Sequence, residues 1–145
     1  MKHYVLGFVF NHNRDKVLLI RKNKPSWQAG KWNGIGGKIE DKDINPLEAM
    51  QRESIEEAGY KYNWEHCITF ICEGGTVFVY RAFDDCSCGC RSIRYKQMED
   101  EKLDVWWIDS LLNKMMGNLE WLIPICLSSI KFPIMYYEDW INEKL

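Results

Sequence analysis

Three carboxylates on one short stretch offer the strongest chemistry in this chain. Glu53, Glu56 and Glu57 belong to the run Arg52-Glu53-x-x-Glu56-Glu57-x-Gly59. If the stretch is helical, the spacing i, i+3 and i+4 places all three on one face. Arg52 is the one cation of this run, so most of the negative charge has no partner there. Such a cluster of oxygens suits a hard divalent cation, Mg²⁺ or Mn²⁺.

The residues around the carboxylates predict the helix that would carry them. Asn45 is placed as an N-cap, Pro46 stands at the first helical position, and Glu48 follows the cap by three residues. Gly59 suits a left-handed helix end. These signals predict a helix over 46–58.

One stripe of that helix is predicted to face the core, namely Leu47, Met50, Ser54 and Ala58. The three carboxylates then lie off the stripe, beside a predicted loop at Gly36-Gly37. Glycine there would let the backbone approach a metal and a phosphate chain. The competing interpretation is a solvated, Glu-rich helix that follows a glycine turn.

The stretch 36–60 resembles the Nudix box, in which a Gly and a middle Glu precede Arg-Glu-apolar-x-Glu-Glu-x-Gly. Gly37 matches the first Gly, and Arg52 to Gly59 match the second half, with Ser54 at the apolar position. The interval from Gly37 to Arg52 is one residue longer than the pattern. Asp43 or Ile44 therefore falls at the middle Glu, and we expect the loop 41–44 to absorb the extra residue.

The resemblance implies an α/β fold, the Nudix α/β/α sandwich with a mixed β-sheet, and Mg²⁺ or Mn²⁺ as cofactor. It implies metal ligands from one carbonyl and three side chains: Gly37, Glu53, Glu56 and Glu57. Arg52 would fix their rotamers by ion pairing. Glu101, before a predicted strand, is a further candidate catalytic and metal-binding carboxylate, the alternative being a surface acidic loop.

A second resemblance concerns the substrate. The run Lys31-Trp32-Asn33-Gly34-Ile35-Gly36-Gly37-Lys38 is similar to one in MutT-like diphosphatases that clear oxidised purine nucleoside triphosphates such as 8-oxo-dGTP. It implies that Asn33 contacts the base and that Lys22 and Lys38 contact phosphate. Near the C-terminus, Trp121 is a candidate stacking residue or a core aromatic.

The base-binding pattern near Trp121 departs from the mammalian-type enzymes, which place two Asp there. This chain has Asn118 and Glu120, which can still form hydrogen bonds. The leading hypothesis is therefore a nucleoside triphosphate diphosphatase that releases a nucleoside monophosphate and pyrophosphate. The alternatives are hydrolysis of another nucleoside diphosphate derivative, such as ADP-ribose or a dinucleoside polyphosphate, and a non-catalytic nucleotide sensor.

Composition bounds the class of protein. The chain has 145 residues, of which 46% are hydrophobic and 28% charged, so we expect a single domain over 1–145. A net charge of -2 argues against a nucleic acid polymer as partner. No apolar run is long enough for a bilayer and the start does not resemble a signal peptide, so we expect a cytoplasmic protein, monomeric or homodimeric.

The six cysteines are expected to be reduced thiols. Cys86, Cys88 and Cys90 alternate with other residues, which is either a metal knuckle or one side of a short strand.

Apolar alternation predicts five strands, at 3–10, 16–22, 66–73, 75–83 and 104–108. The first two flank a turn at 11–15. A second helix is predicted over 119–130, and a short helical turn over 109–112.

Overall fold

The computed structural model describes residues 2–24, 26, 28–72, 74–84, 92–111, 117–128 and 135–136. Within these residues the order of elements is β1 (Lys2–Asn11), β2 (Lys16–Arg21), β3 (Trp32–Asn33), β4 (Ile35–Lys38), α1 (Pro46–Ala58), β5 (Glu65–Cys72), β6 (Gly75–Asp84), β7 (Leu103–Trp107), a 3-10 turn (Ile108–Ser110), α2 (Leu119–Leu127) and β8 (Met135–Tyr136). No helix of this described part is long and apolar enough to cross a membrane.

The strands form one mixed sheet. Its main path runs β3-β2-β1-β6-β5-β8, with β4 paired to β1 and β7 paired to β2. The central pair β1 and β6 is parallel, whereas β1 runs antiparallel to β2 and β4. The predicted mixed sheet is therefore confirmed.

The two faces of the sheet carry separate apolar clusters, one under each helix. Along β1, Leu6 and Phe8 pack with α2, while Val5 and Val9 pack with α1 residues such as Met50. This alternation is the period of two expected of a strand that is buried on both faces. The α/β/α sandwich predicted from the resemblance is confirmed.

The five predicted strands all occur, and each end lies within one residue of its predicted position. The prediction of a loop at Gly36-Gly37 was wrong, because both glycines lie in β4 and pair with Leu6 and Val5 of β1. Glycine packs no side chain on a sheet and has low strand propensity, so residues 36 and 37 carry no strand signal. Strands β3 and β8, of two residues each, were missed for lack of any periodicity.

The core stripe of α1 was partly wrong. Met50, Ser54 and Ala58 are buried, but Leu47 is 38% exposed, and Glu57 is buried among the apolar residues. The 3-10 turn begins one residue before the predicted turn, and α2 starts where predicted and ends at Leu127.

Cys67 and Cys126 are buried thiols without a disulfide. Cys86, Cys88 and Cys90 lie outside the described residues, so their role stays a prediction.

Candidate active site

Helix α1 begins and ends as its sequence signals predict. Asn45 Oδ1 accepts a hydrogen bond from the Glu48 backbone N–H at 2.8 Å, and Pro46 is the first helical residue. Gly59 adopts φ 73°, and its N–H donates to the Ile55 carbonyl at 3.1 Å. The caps fix the register of the helix, and therefore the direction in which its carboxylates project.

The two glycines of strand β4 are closely packed, Gly36 against the Val5 backbone of β1 and Gly37 against the Glu53 side chain of α1. A Cβ at Gly37 would lie 2.5 Å from Glu53 Oε1. The Gly36 backbone N–H donates to Glu57 Oε1 at 3.2 Å. The bare backbone of β4 thus contacts two of the three predicted metal ligands directly.

Arg52 connects the helix to the loop before it. Its Nε and Nη2 donate to the two Asp43 oxygens at 2.9 and 2.8 Å. Its Nη1 lies 3.0 Å from Glu53 Oε1 and 3.4 Å from Glu56 Oε2, and Nη2 also reaches the Lys38 carbonyl at 3.3 Å. The Arg52 side chain is only 14% exposed, and its contacts with the carboxylates fit the predicted positioning role. Like Glu53, Glu56 and Glu57, it does not itself line the cleft described below.

Asp43 and Ile44 were the two residues that could fall at the middle Glu of the Nudix box, and Asp43 is the one whose side chain points inward. The Asp43 side chain is 2% exposed, whereas Ile44 is 83% exposed. Asp43 Oδ2 also accepts from the Glu40 N–H at 2.8 Å, and the Asp43 N–H returns a bond to the Glu40 carbonyl at 3.0 Å. This turn lies between β4 and α1, where the loop has room for the extra residue. The Arg52 hydrogen bonds lower the pKa of Asp43 to about 2.

Glu57 is the most unusual carboxylate of the site. It is 4% exposed, and its Oε2 has no hydrogen-bond partner among the described residues. Burial raises the pKa of Glu57 to about 8; the nearby Lys22 charge opposes this, and the Glu53 charge adds to it. Burial likewise raises the pKa of Glu53, against the opposing charge of Arg52. Two neighbouring carboxyl groups that resist losing their protons form a site that a cation would stabilise.

A cleft of about 250 Å³ opens beside β4. Five residues that the sequence singled out line it: Lys22, Asn33, Gly37, Lys38 and Glu101. The sequence reasoning missed Tyr4, Lys24 and Gln28, which also line the cleft. No motif marks these three, and only their place on β1 or between β2 and β3 brings them there.

Glu101 and Lys22 join the cleft to the carboxylates. Glu101 Oε1 lies 3.4 Å from Lys22 Nζ, and Glu101 Oε2 accepts a short hydrogen bond from the Asn23 backbone N–H. The Lys22 charge also opposes the rise in the pKa of Glu57, so the ammonium is near enough to act on both carboxylates. Glu101 is half-buried here and not a freely solvated loop residue.

The three substrate candidates on α2 do not line the cleft. Glu120 is exposed, and Trp121 packs edge-to-face on Phe70 with ring centroids 5.4 Å apart. Asn118 is fully buried, and neither its Oδ1 nor its Nδ2 has a partner in the described part of the chain. A buried amide without partners is rare in proteins, which keeps Asn118 as a candidate for ligand recognition.

The donor set fits a divalent cation. Among the described residues no three acidic, histidine or cysteine side chains converge as a metal cluster, since Arg52 holds Glu53 and Glu56. The Oε2 of Glu57 nevertheless has no partner among these residues, and the Glu53 carboxylate lies against Gly37. These oxygens have too little positive charge around them, which a divalent cation would supply. The metal roles of these residues stay predictions.

Residues 1–108 match the NUDIX domain family, and the chain belongs to this family of hydrolases, which generally use divalent metal ions. The recognition made from the Nudix box is confirmed. No curated protein matches the chain.

The chain is similar to several solved structures. The MutT protein from Bacillus halodurans is 25% identical with a TM-score of 0.67, over 95% of this chain and 91% of that one. The MutT NUDIX hydrolase from Burkholderia pseudomallei is 20% identical with a TM-score of 0.66, over 85% and 95% of the two chains. The NUDIX domain of Shewanella oneidensis NrtR, solved with ADP ribose, is 18% identical with a TM-score of 0.67, over 85% and 84%.

Proposed function

We propose that the protein hydrolyses a nucleoside triphosphate to a nucleoside monophosphate and pyrophosphate, with Mg²⁺ or Mn²⁺ as cofactor. One observation carries the proposal. The lining of the cleft contains three lysines together with Gly36 and Gly37, and the backbone of these glycines contacts the buried Glu57 and the half-buried Glu53. Ammonium groups attract the phosphate chain, and the carboxylates attract the cation that such a chain requires.

The cation would be held by the oxygens of Glu53, Glu56 and Glu57, by the Gly37 carbonyl and by Glu101. When bound, it would neutralise phosphate charge and make water a better nucleophile. Glu56 would have to exchange its Arg52 contact at 3.4 Å for the cation. Arg52 would remain anchored by its paired bonds to Asp43.

The chain's own residues would carry the remaining steps. Lys22, Lys24 and Lys38 would bind phosphate oxygens along the cleft. Burial raises the pKa of Glu57 to about 8, but a cation bound at the cluster would lower it and displace the proton. Glu57 Oε2, the buried oxygen without a partner, would then accept the proton of the attacking water. As the water oxygen bonds to phosphorus, the anhydride bond breaks and pyrophosphate leaves.

A single purine nucleotide is the substrate class that we propose, with an oxidised purine triphosphate such as 8-oxo-dGTP as the leading member. The similarity to the Bacillus halodurans MutT protein supports this choice. Asn33 in the cleft and the unpartnered Asn118 amide are candidates for reading the base.

The test is a nucleotide screen with Mg²⁺, with Mn²⁺ and with excess chelator, which reads pyrophosphate release and also follows nucleoside monophosphate formation by chromatography, since ADP-ribose would yield AMP and ribose 5-phosphate without pyrophosphate. We expect pyrophosphate release from nucleoside triphosphates, its loss in chelator and its recovery on adding the cation. The control variant is Glu48→Gln, which alters a carboxylate of the same helix outside the cluster. Hydrolysis that persists in chelator would sink the proposal, and turnover of ADP-ribose alone would replace it with the alternative substrate.

A further inference from the structure

Gln28 lies in the segment that connects β2 with β3, and backbone hydrogen bonds join this segment to Lys22 and Lys31. The ladder between β2 and β3 continues outward, with the Lys22 N–H donating to the Lys31 carbonyl at 2.8 Å. The Gly30 N–H donates back to the Lys22 carbonyl at 2.8 Å, and the Lys31 N–H donates to the Gln28 carbonyl at 2.9 Å. These bonds hold the backbone that carries Gln28 in place before any ligand arrives.

Gln28 is a largely buried residue whose amide remains accessible from the cleft. It is 9% exposed and lines the cleft together with Lys24 and Asn33. No hydrogen bond joins its side-chain oxygen or nitrogen to any other residue of the described ranges, and neither atom is among the fully enclosed polar atoms that lack a partner there. The amide is therefore open to the cleft, where a ligand group can take the place of water as its partner.

Asn33 is less free than Gln28 to offer both a donor and an acceptor. Its Oδ1 accepts a hydrogen bond from the Gly34 backbone N–H at 2.8 Å. One lone pair of that oxygen is therefore occupied, whereas the Nδ2 hydrogens remain as donors. At Gln28 neither end of the amide has a partner in the described part of the chain.

We propose that Gln28 is a specificity-determining residue that pairs with adjacent donor and acceptor atoms on the edge of the nucleobase. The inference rests on the proposed function only in taking a nucleotide as the ligand. Asn33 then adds one fixed donor, and the lysines of the cleft hold the phosphates. A planar amide matches a base edge with two parallel hydrogen bonds, a geometry that discriminates among bases.

The experiment is calorimetric titration with AMP, GMP, CMP and UMP in the presence of chelator, so that base recognition is measured without hydrolysis. The wild type is compared with Gln28→Met, which removes both hydrogen-bonding groups, and with Gln28→Glu, which keeps the shape but only accepts. Gln51→Met, on α1 and away from the cleft, is the matched control. Far-UV circular dichroism checks that each variant is folded.

We expect the wild type to rank the four nucleotides, and Gln28→Met to weaken its preferred nucleotide by about tenfold, the loss of roughly one well-formed hydrogen bond. Gln28→Glu should shift the ranking toward GMP, whose N1–H and N2 amino group offer two adjacent donors to a carboxylate. Gln51→Met should leave the ranking unchanged.

An unranked or unmeasurable wild type would overturn the inference. So would variants at Gln28 that weaken all four nucleotides equally, since Gln28 would then only shape the loop. The proposed function fails separately, if the wild type hydrolyses no nucleoside triphosphate while the base ranking and its dependence on Gln28 remain.

Discussion

The carboxylate cluster and the cleft beside it differ in how their polar side chains are bonded. In the cluster, Arg52 has partners on every side, with Asp43, Glu53 and Glu56 all within 3.4 Å. In the cleft, the Gln28 amide has no side-chain partner within the described ranges. The contrast teaches that the reacting end is held by contacts inside the protein, whereas recognition depends on polar groups that a ligand must satisfy.

Glu57 is the one member of the cluster with an oxygen that lacks a partner among the described residues, and its replacement should have the largest effect on activity. We expect Glu57→Gln to lower kcat by roughly 10²-fold or more, about 2.7 kcal/mol of lost transition-state stabilisation, because it removes a cation ligand and a proton acceptor. Glu56→Gln should act in the same direction. Steady-state kinetics with Mg²⁺ measures both, and near-wild-type rates would make the cluster structural.

Glu57→Gln should also change how the stability of the fold depends on pH. The unfolded chain loses the Glu57 proton near its ordinary pKa of 4.5, but the folded chain keeps it to about 8. The folded state therefore binds more protons in this window, and its stability falls as the pH rises from about 5 to 8. In chelator, Glu57→Gln should show a flatter dependence of the free energy of unfolding on pH. An unchanged slope would contradict this.

The two regions also differ in how far the sequence reveals them. The cluster follows from local signals, since the N-cap at Asn45, the glycine at Gly59 and the i, i+3, i+4 spacing lie within 15 consecutive residues. Gln28 reaches the cleft only through the pairing of β2 with β3, which no periodicity announces. Burial of Glu57 was unpredictable for the same reason, because it depends on how closely β4 approaches α1.

Asn33 is the base-contact candidate from the sequence that does line the cleft, and its replacement should give the next largest effect. We expect Asn33→Ala to raise KM for purine nucleoside triphosphates by about tenfold while changing kcat less, as expected for one lost hydrogen bond of about 1–3 kcal/mol. Part of the loss will come from the freed Gly34 N–H. A matched purine and pyrimidine set measures it, and an unchanged preference would move base reading to Gln28 and Asn118.

Replacing Asp43 tests whether the paired bonds between Asp43 and Arg52 stabilise the fold rather than take part in catalysis. We expect Asp43→Asn to destabilise the fold by about 1–3 kcal/mol by weakening its paired bonds to Arg52, and to lower kcat far less than Glu57→Gln. Because Arg52 lowers the pKa of Asp43 from 3.8 to about 2, this stabilisation is present above pH 4 and is lost as the pH falls through about 2.

The control for Asp43 is Asp41→Asn, an exposed carboxylate of the same loop, which should change neither stability nor kcat. Thermal unfolding at pH 7 and at pH 3 measures the stabilities. A loss of kcat at Asp43 as large as that at Glu57 would show that Asp43 itself binds the cation.

Replacing Trp121 should have the smallest effect on activity. Comparing it with a replacement of Tyr4 shows which of the two aromatic side chains stacks on the base. The sequence left stacking and core packing open, and Trp121 packs on Phe70, whereas Tyr4 lines the cleft. Trp121→Leu should therefore lower the melting temperature, through the loss of an aromatic pair worth about 0.5–1.5 kcal/mol beyond its area, and leave KM unchanged. Tyr4→Leu, the matched change, should raise KM because base stacking contributes about 1–3 kcal/mol. If KM rises in Trp121→Leu and not in Tyr4→Leu, helix α2 supplies the stacking surface and the cleft must extend beneath it.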